Sequence, residues 1–320
     1  MMNFLNTYRR YACDIDRINE EAEKSPEDFI TMTEKVFRHD LKWIVEQILN
    51  SGGKRHVILL SGPSSSGKTT CSKKLSDEFR NHDTDVQLIS MDDFYLGADK
   101  VKKLPNGKPD FESVEALDIP LIIQSIHQLS TTGECIIPTY DFSKSRRSDI
   151  TKEIKLGSNS VIIMEGIHAL NPIFSQGMSK EKVMKIYVGV KQGIKENEDY
   201  ILTHREIRFI RRLVRDYHFR KVDPEYMLLM WPSVVDGEKK YIRPYRYTSD
   251  FTINSIHIYE PCVMKNTALE LLGQISIDFP DNDFVDHLIS SLDKFKAISS
   301  EYVPENSLIR EFIGGGCYSY

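Results

Sequence analysis

Short apolar runs alternate along this chain with longer segments whose apolar residues recur every three or four positions. The short runs, typical of buried strands, cover residues 56–60, 86–90, 160–166 and 185–190. The helical spacing covers residues 26–50, 68–80, 113–129 and 203–219, with Pro120 inside the third segment. Strands that alternate with helices predict an α/β fold with a mainly parallel sheet flanked by helices.

Three regions depart from this alternation. Residues 134–138 and 150–156 flank a polar stretch and are predicted to pair as a small β-hairpin insertion beside the main sheet. Residues 1–27 are polar and charged and predict no clear fold of their own. We therefore divide the chain into a helical N-terminal extension (1–55), a central domain (56–277) and a C-terminal helical segment that packs on it (278–320).

A glycine-rich loop lies between the first predicted strand and the helix that follows. Its residues, and the threonine after it, are Gly62, Pro63, Ser64, Ser65, Ser66, Gly67, Lys68, Thr69 and Thr70. Glycines allow the backbone to approach phosphate oxygens, and successive N–H groups at a helix N-terminus attract anions. Lys68 would neutralise β- and γ-phosphate charge, and Thr69 would offer its hydroxyl to Mg²⁺. The loop therefore predicts a P-loop NTPase fold that binds ATP and Mg²⁺.

Two acidic residues follow predicted strands. Asp92 comes after the second strand, at the sheet edge where α/β proteins bind ligands, and could accept the proton of an attacking hydroxyl. A solvated turn or a helix N-cap is the alternative for Asp92. Glu165 ends the third strand and could hold Mg²⁺, whereas a plain strand-end turn is its alternative.

Basic residues crowd the predicted helix at 203–219. Arg208, Arg212 and Arg215 are spaced to share one face, which suits phosphate oxygens and developing negative charge. The alternative is a solvated face that pairs with Glu206 and Asp216. Beside a P-loop, we favour an Arg-rich helical lid that closes on phosphates.

Composition excludes several classes of protein. A net charge of −5 argues against a nucleic-acid binder. The five widely spaced cysteines fit neither a disulfide framework nor a zinc site, and predict buried thiols in a reducing compartment. No apolar run is long enough to span a membrane and no signal core is visible, so a cytoplasmic location is expected.

Several motifs together resemble the uridine kinase family of P-loop nucleoside kinases, which is related to phosphoribulokinase, and in particular its bacterial-type members. The matching stretches are residues 62–70, 91–95, 109–118, 138–142, 164–168, 210–217, 230–234 and 307–315. The resemblance extends from about residue 40 to the C-terminus. It implies ATP-dependent phosphorylation of the 5′-hydroxyl of uridine or cytidine.

The resemblance also implies roles for individual residues. Asp92 would be the catalytic carboxylate, assisted by Lys68 and the arginines, and Glu165 would join Thr69 in serving Mg²⁺. Substrate and phosphate contacts would come from Asp110 and Glu112 at the ribose, Tyr140 and Phe142 at the base, and Arg212, Arg215 and Arg220 at the phosphates.

The sequence departs from the family pattern at three positions, the mildest being Glu112, which stands where the family carries the shorter aspartate. Ser145 stands where uridine–cytidine kinases carry a base-reading histidine, and Val222 stands where they carry a second lid arginine. A kinase for another small alcohol, such as a sugar phosphate or pantothenate, therefore remains open, as does a non-catalytic nucleotide-binding regulator. The expected partner is a small nucleoside, with no nucleic acid or membrane, and residues 26–50 leave a homo-oligomer open.

Overall fold

A five-stranded parallel sheet with helices on both faces forms the centre of the molecule. The computed structural model describes residues 13–51, 57–103, 107, 109–141, 144–157, 159–176, 178, 183–276, 278 and 282–319. The strands are β1 (Val57–Ser61), β2 (Asp85–Ser90), β3 (Glu134–Asp141), β4 (Arg146–Lys155), β5 (Ser160–Glu165), β6 (Val183–Gly189), β7 (Ile194–Glu196), β8 (Asp199–Leu202) and β9 (Phe251–Asn254). The helices are α1 (Ile15–Lys24), α2 (Pro26–Asn50), α3 (Lys68–Arg80), α4 (Ile119–Thr131), α5 (His204–Arg220), α6 (Pro224–Gly237), α7 (Glu260–Leu272), α8 (Asn282–Asp293) and α9 (Arg310–Ile313).

The order of the central sheet is β2–β5–β1–β6–β9, and all neighbouring strands are parallel. Every residue of β1 is buried, as its continuous apolar run predicts. In the register of the sheet, Ser90 at the end of β2 lies beside Glu165 at the end of β5, and Leu60 of β1 lies on the other side of Glu165. The predicted α/β fold with a mainly parallel sheet is confirmed, and its carboxyl edge brings β1, β2 and β5 together.

Apolar side chains cover both faces of the sheet. Ile58 belongs to one buried cluster together with Ile15 of α1 and Phe37 of α2, whereas Leu59 belongs to a second cluster with Ile122 of α4. Helix α2 has the predicted bounds. The division of the chain at residues 55 and 277 stays a prediction. Among the described residues, no helix combines the length and apolar character needed to cross a membrane.

Helix α1 was not predicted. The expectation that residues 1–27 have no clear fold is wrong for residues 15–24, which form a regular helix. The Asp14 carboxylate accepts from two N–H groups of the first turn, and Ile15, Ile18 and Ala22 are buried along one face. The short helix is therefore stabilised by a cap and by packing against α2, despite its polar composition.

The helix predicted over residues 113–129 begins later than expected. A short 3₁₀ turn covers Val114–Ala116, and α4 begins at Ile119. The Asp118 carboxylate caps the helix by accepting from the Leu121 N–H. Pro120 lies in the first turn, where N–H groups have no acceptor within the helix, so the N–H that proline lacks is not needed there. Pro120 thus marks a helix start, rather than an interruption in the middle of one.

Two strand pairs stand apart from the central sheet. The predicted hairpin is confirmed as β3–β4, which is longer than expected and carries a bulge between Pro138 and Tyr140. The small β7–β8 pair and strand β9 were not predicted. No disulfide links the cysteines of the described residues, and four of them are buried, but Cys317 is exposed, contrary to the expectation that all are buried.

Candidate active site

The P-loop wraps the N-terminus of α3 in the conformation that its glycines permit. A Cβ atom added to Gly62 would lie 2.1 Å from the Val188 carbonyl oxygen, so only glycine fits there. Gly67 has a φ of 83°, and a Cβ atom on it would lie 2.7 Å from Leu308 Cδ1. Ser65 also has a positive φ, of 56°. The loop is therefore tightly packed, and its backbone adopts the conformation that a phosphate cradle requires.

Polar side chains of this cradle have unmet hydrogen-bonding capacity. Ser65 Oγ and Ser66 Oγ are buried and have no hydrogen-bond partner among the described residues. Lys68 Nζ reaches back across the loop and donates to the Pro63 carbonyl oxygen at 3.3 Å. Buried polar atoms normally have partners. Phosphate oxygens would supply them here, so the residues fit a nucleotide.

The end of β5 carries a carboxylate that touches the P-loop. Thr69 Oγ1 donates to Glu165 Oε1 at 3.5 Å, and Ser90 Oγ donates to the same oxygen at 3.3 Å. Burial, and then the negative charge of Asp92, raise the pKa of Glu165 from 4.5 to about 7, against the opposing effect of Lys68. A divalent cation at this position would stabilise the ionised form. Its nearby oxygen ligands would be Thr69 and Glu165.

This donor set fits Mg²⁺ better than a metal held wholly by protein. Among the described residues, no group of three or more histidine, cysteine, aspartate or glutamate side chains could hold a metal ion. Mg²⁺ is commonly bound by one or two protein oxygens together with water and substrate phosphates. The Thr69–Glu165 pair matches that pattern.

Asp92 lies in the 3₁₀ turn Met91–Phe94, directly after β2. Its own N–H donates to Ser90 Oγ at 3.3 Å, so Ser90, and not Asp92, caps the turn. Burial raises the pKa of Asp92 and the charge of Asp93 adds to this, whereas Lys68 and Arg220 lower it. Asp92 therefore does not cap the turn, and it is half-buried rather than fully solvated, with the charge of the P-loop lysine acting on its carboxyl group.

Aromatic side chains form a wall next to Asp92. The ring of Tyr95 meets the rings of Phe111 and Tyr140 edge to face, with centroids 5.5 and 5.8 Å away. The Tyr140 N–H donates to Asp93 Oδ1 at 3.3 Å, which ties the hairpin to the turn that carries Asp92. Phe142, predicted as the second base-contacting aromatic residue, lies outside the described residues. Tyr95 and Phe111 extend the wall without having been singled out from the sequence.

Glu112 lies in the same cleft as the phosphate-binding groups. Burial raises the pKa of Glu112, Arg212 and Lys68 lower it, and Asp110 and Asp92 raise it further, so all four charges act on one carboxyl group. A Cβ atom added to Gly237 at the end of α6 would lie 2.9 Å from the Glu112 side chain. The charges of Asp110 and Asp92 thus both act on Glu112, and the contact of Asp110 and Glu112 with ribose stays a prediction.

The arginines of α5 divide into two groups. Arg212 Nη1 donates to Ser64 Oγ of the P-loop at 2.8 Å. The buried Asp216 carboxylate pairs with Arg212 at 3.3 Å, Arg215 at 2.7 Å and Arg220 at 3.6 Å. The pairing with Asp216, given above as the alternative to a lid, is therefore present, but on a buried carboxylate rather than a solvated face, and the lid role stays a prediction. Glu206 instead completes a capping box with Thr203 at the start of the helix.

Arg208 and Arg211 form the second group and are almost fully buried. Arg208 pairs with Glu238 at 2.7 Å and donates to the Ser64 carbonyl oxygen at 3.0 Å. Arg211 makes a two-pronged pair with Glu260 and donates to the Ser65 carbonyl oxygen at 3.3 Å. Both arginines hold the P-loop backbone from behind, so Arg208 does not belong with Arg212 and Arg215 on a phosphate-facing row. Both arginines lie among the apolar residues of α5, and this pattern could have predicted from the sequence that they are buried.

Ser145, which replaces the expected histidine, lies at the exposed turn between β3 and β4. Its φ is 48°, and its carbonyl oxygen accepts from the Ala98 N–H at 3.1 Å. The Ser145 backbone thus holds the hairpin turn against the loop after β2.

A phosphate cradle, two carboxylates at neighbouring strand ends and clustered arginines define a P-loop phosphotransferase. The sequence model of the Phosphoribulokinase / Uridine kinase family matches residues 57–260, which is more than half of the chain. The chain belongs to this family and is a kinase that transfers a phosphoryl group to a hydroxyl group.

Two uridine kinases agree with this assignment. The chain is 27% identical to the uridine kinase of Lactobacillus johnsonii over 202 residues, which cover 62% of this chain and 87% of that protein. It is 31% identical to the uridine kinase of Lactobacillus helveticus over 160 residues, which cover 50% of this chain and 67% of that protein. The phosphoribulokinase structure from Rhodobacter spheroides superposes with a TM-score of 0.43 at 16% identity, covering 62% of this chain and 69% of that one.

Proposed function

We propose that this kinase transfers the γ-phosphoryl group of ATP to the 5′-hydroxyl of a pyrimidine ribonucleoside, uridine or cytidine, in nucleoside salvage. The observation that carries the proposal is Asp92 directly after β2, where the charge of the P-loop Lys68 acts on its carboxyl group and the neighbouring Asp93 accepts from Tyr140 of the aromatic wall. The uridine kinase names of the relatives support a nucleoside as the acceptor.

On the donor side, the P-loop would bind the triphosphate of ATP. The N–H groups of residues 62–70 would surround the phosphates, and Lys68 would neutralise their charge. Thr69 and Glu165 would hold Mg²⁺, which supplies electrostatic stabilisation of the phosphate oxygens when bound.

On the acceptor side, Asp92 would receive the proton of the attacking hydroxyl. Its raised pKa makes its carboxylate a better proton acceptor than an ordinary aspartate. Asp110 and Glu112 would accept hydrogen bonds from ribose hydroxyls, and Tyr140 and Phe142 would pack on the base. The hydrogen bond from the Tyr140 N–H to Asp93 would hold this part of the wall beside Asp92.

Charge that develops on the transferred group would be met by Arg212, Arg215 and Arg220. Asp216 pairs with all three guanidinium groups and so helps to position them, although the Arg220 side chain is 59% exposed. Pre-positioned cations lose little freedom during the reaction, so they stabilise the transition state more effectively than mobile ones.

A substrate panel tests the proposal. Purified protein with MgATP is offered uridine, cytidine, adenosine, ribulose 5-phosphate and pantothenate, and ADP release is followed with a coupled assay. We expect turnover with uridine or cytidine, and its loss in Asp92→Asn but not in Asp99→Asn, a matched change at an exposed site. Turnover with a sugar phosphate or pantothenate alone would refute the pyrimidine acceptor. Absence of turnover with every alcohol would favour a nucleotide-binding regulator.

A further inference from the structure

The C-terminal segment, residues 304–319, packs directly on the P-loop and on α3. Leu308 fills the space above Gly67, where a Cβ atom would lie 2.7 Å from its methyl group. The ring of Phe312 is buried beneath the Arg211 guanidinium group, 5.0 Å away. Lys74 of α3 donates to the Asn306 carbonyl oxygen at 2.5 Å. This segment lies beyond residues 57–260, which the family model matches.

One carboxylate of the segment reaches the first turn of α3. Glu311 Oε2 accepts from Thr70 Oγ1 at 2.5 Å and from the Thr70 N–H at 3.3 Å, across 241 residues of sequence. Both residues are buried. Thr70 is the last residue of the phosphate cradle, and the free N–H groups of a helix's first turn are those that bind phosphate oxygens.

The charge of Glu311 also acts inside the active site. Glu311 is among the groups that raise the pKa of Glu165, and it helps to hold the pKa of Arg220 up against the lowering effect of burial. Glu165 is the proposed Mg²⁺ ligand and Arg220 a proposed phosphate contact. Through its hydrogen bonds to Thr70, Glu311 lies at the first turn of the P-loop helix, and a triphosphate bound there would bring further negative charge close to it.

We propose that Glu311 competes with nucleotide phosphate for the N–H and hydroxyl groups of Thr70 on the P-loop helix. This competition lowers the affinity of the kinase for ATP. The proposal rests on the proposed ATP site. It assigns to the C-terminal segment a carboxylate that competes with nucleotide and is released from Thr70 when nucleotide binds. A purely structural cap on α3 makes the opposite prediction, because weakening it would disorder the cradle and reduce binding.

Glu311→Gln separates these two roles, because its neutral amide oxygen can still cap the helix but accepts from Thr70 more weakly than a carboxylate and does not repel phosphate, so nucleotide displaces it more easily. Glu305→Gln, an exposed site on the same segment, is the matched control. Titration calorimetry is done with MgATP, inorganic tripolyphosphate and adenosine. We expect Glu311→Gln to bind MgATP and tripolyphosphate about tenfold or more tightly than wild type, with adenosine unchanged, and Glu305→Gln to match wild type. Equal or weaker tripolyphosphate binding by Glu311→Gln would overturn the proposal.

A measurement on the wild-type protein does not depend on the variant folding. Hydrogen exchange of the peptide that contains Arg310–Ile313 is compared with and without MgATP, and faster exchange with MgATP is expected if Glu311 leaves Thr70. Unchanged or slower exchange there would count against the proposal. Nucleotide binding by Glu311→Gln but not by wild type would support it in its strongest form, whereas absence of binding by both would overturn the ATP site as well.

Discussion

Replacement of Glu165 by glutamine should make the nucleotide-free protein more stable at alkaline pH, although Glu165 is a proposed functional residue. Glu165 is held at the end of β5 by Thr69 and Ser90, and burial with the nearby Asp92 charge raises its pKa from 4.5 to about 7. Between those two pH values, the folded protein keeps a proton that the unfolded chain has released. The free energy of unfolding therefore falls as pH rises through this window.

This rise in pKa corresponds to roughly 3 kcal/mol of destabilisation once Glu165 is fully ionised. Because Asp92 shares the same charge repulsion, this is an upper figure. Glutamine has nearly the same shape and cannot ionise, so Glu165→Gln should lose this pH dependence. We expect the variant to exceed wild type by about 1–3 kcal/mol at pH 8, and to equal it near pH 4.5.

Urea unfolding of both proteins, at a series of pH values and with a chelator present, measures this difference. Glu301→Gln, at an exposed site, is the control and should retain the wild-type pH dependence. A Glu165→Gln protein that is less stable than wild type at pH 8, or whose difference from wild type is the same at every pH, would refute the reasoning.

Three further predictions follow from the site. Arg211→Met leaves the Glu260 carboxylate buried without its two-pronged partner and should lower the free energy of unfolding by about 3–5 kcal/mol, measured by urea titration; a loss below about 1 kcal/mol would contradict the buried pair. Tyr140→Ala should raise KM for the nucleoside several-fold and leave KM for ATP unchanged in steady-state kinetics, and the reverse pattern would exclude an acceptor role. In a pH–rate profile, kcat/KM for MgATP should fall as pH drops through about 7, because Glu165 becomes protonated; a flat profile down to pH 5 would contradict a role for its ionised form.

Much of this site can be predicted from the sequence because its motifs consist of residues that are adjacent in the chain. The P-loop needs only glycines, a lysine and a threonine between a strand and a helix, and all of these are adjacent in the chain. Asp92 and Glu165 end apolar runs, and parallel strands deliver their carboxyl ends to one edge of the sheet. Their convergence beside Lys68 could therefore be expected without knowledge of the strand order.

The missing parts are long-range or have weak signals. Strand β9 has four residues, too few for a clear alternation, and its place beside β6 depends on the whole fold. The division of the α5 arginines depends on Glu238 and Glu260, which come from later elements. The contact of Glu311 with Thr70 spans most of the chain. The sequence shows where the charged residues lie along the chain, but which of them pair depends on the tertiary structure.

The most direct test of the central claim is single-turnover phosphorylation of uridine by wild type and Asp92→Asn, with the product identified by phosphorus NMR. We predict that wild type forms the uridine 5′-monophosphate. Asp92→Asn should bind MgADP with nearly wild-type affinity but transfer the phosphoryl group ~10²–10⁴-fold more slowly. Near-normal transfer by Asp92→Asn, or phosphorylation at a hydroxyl other than the 5′-hydroxyl, would contradict the account.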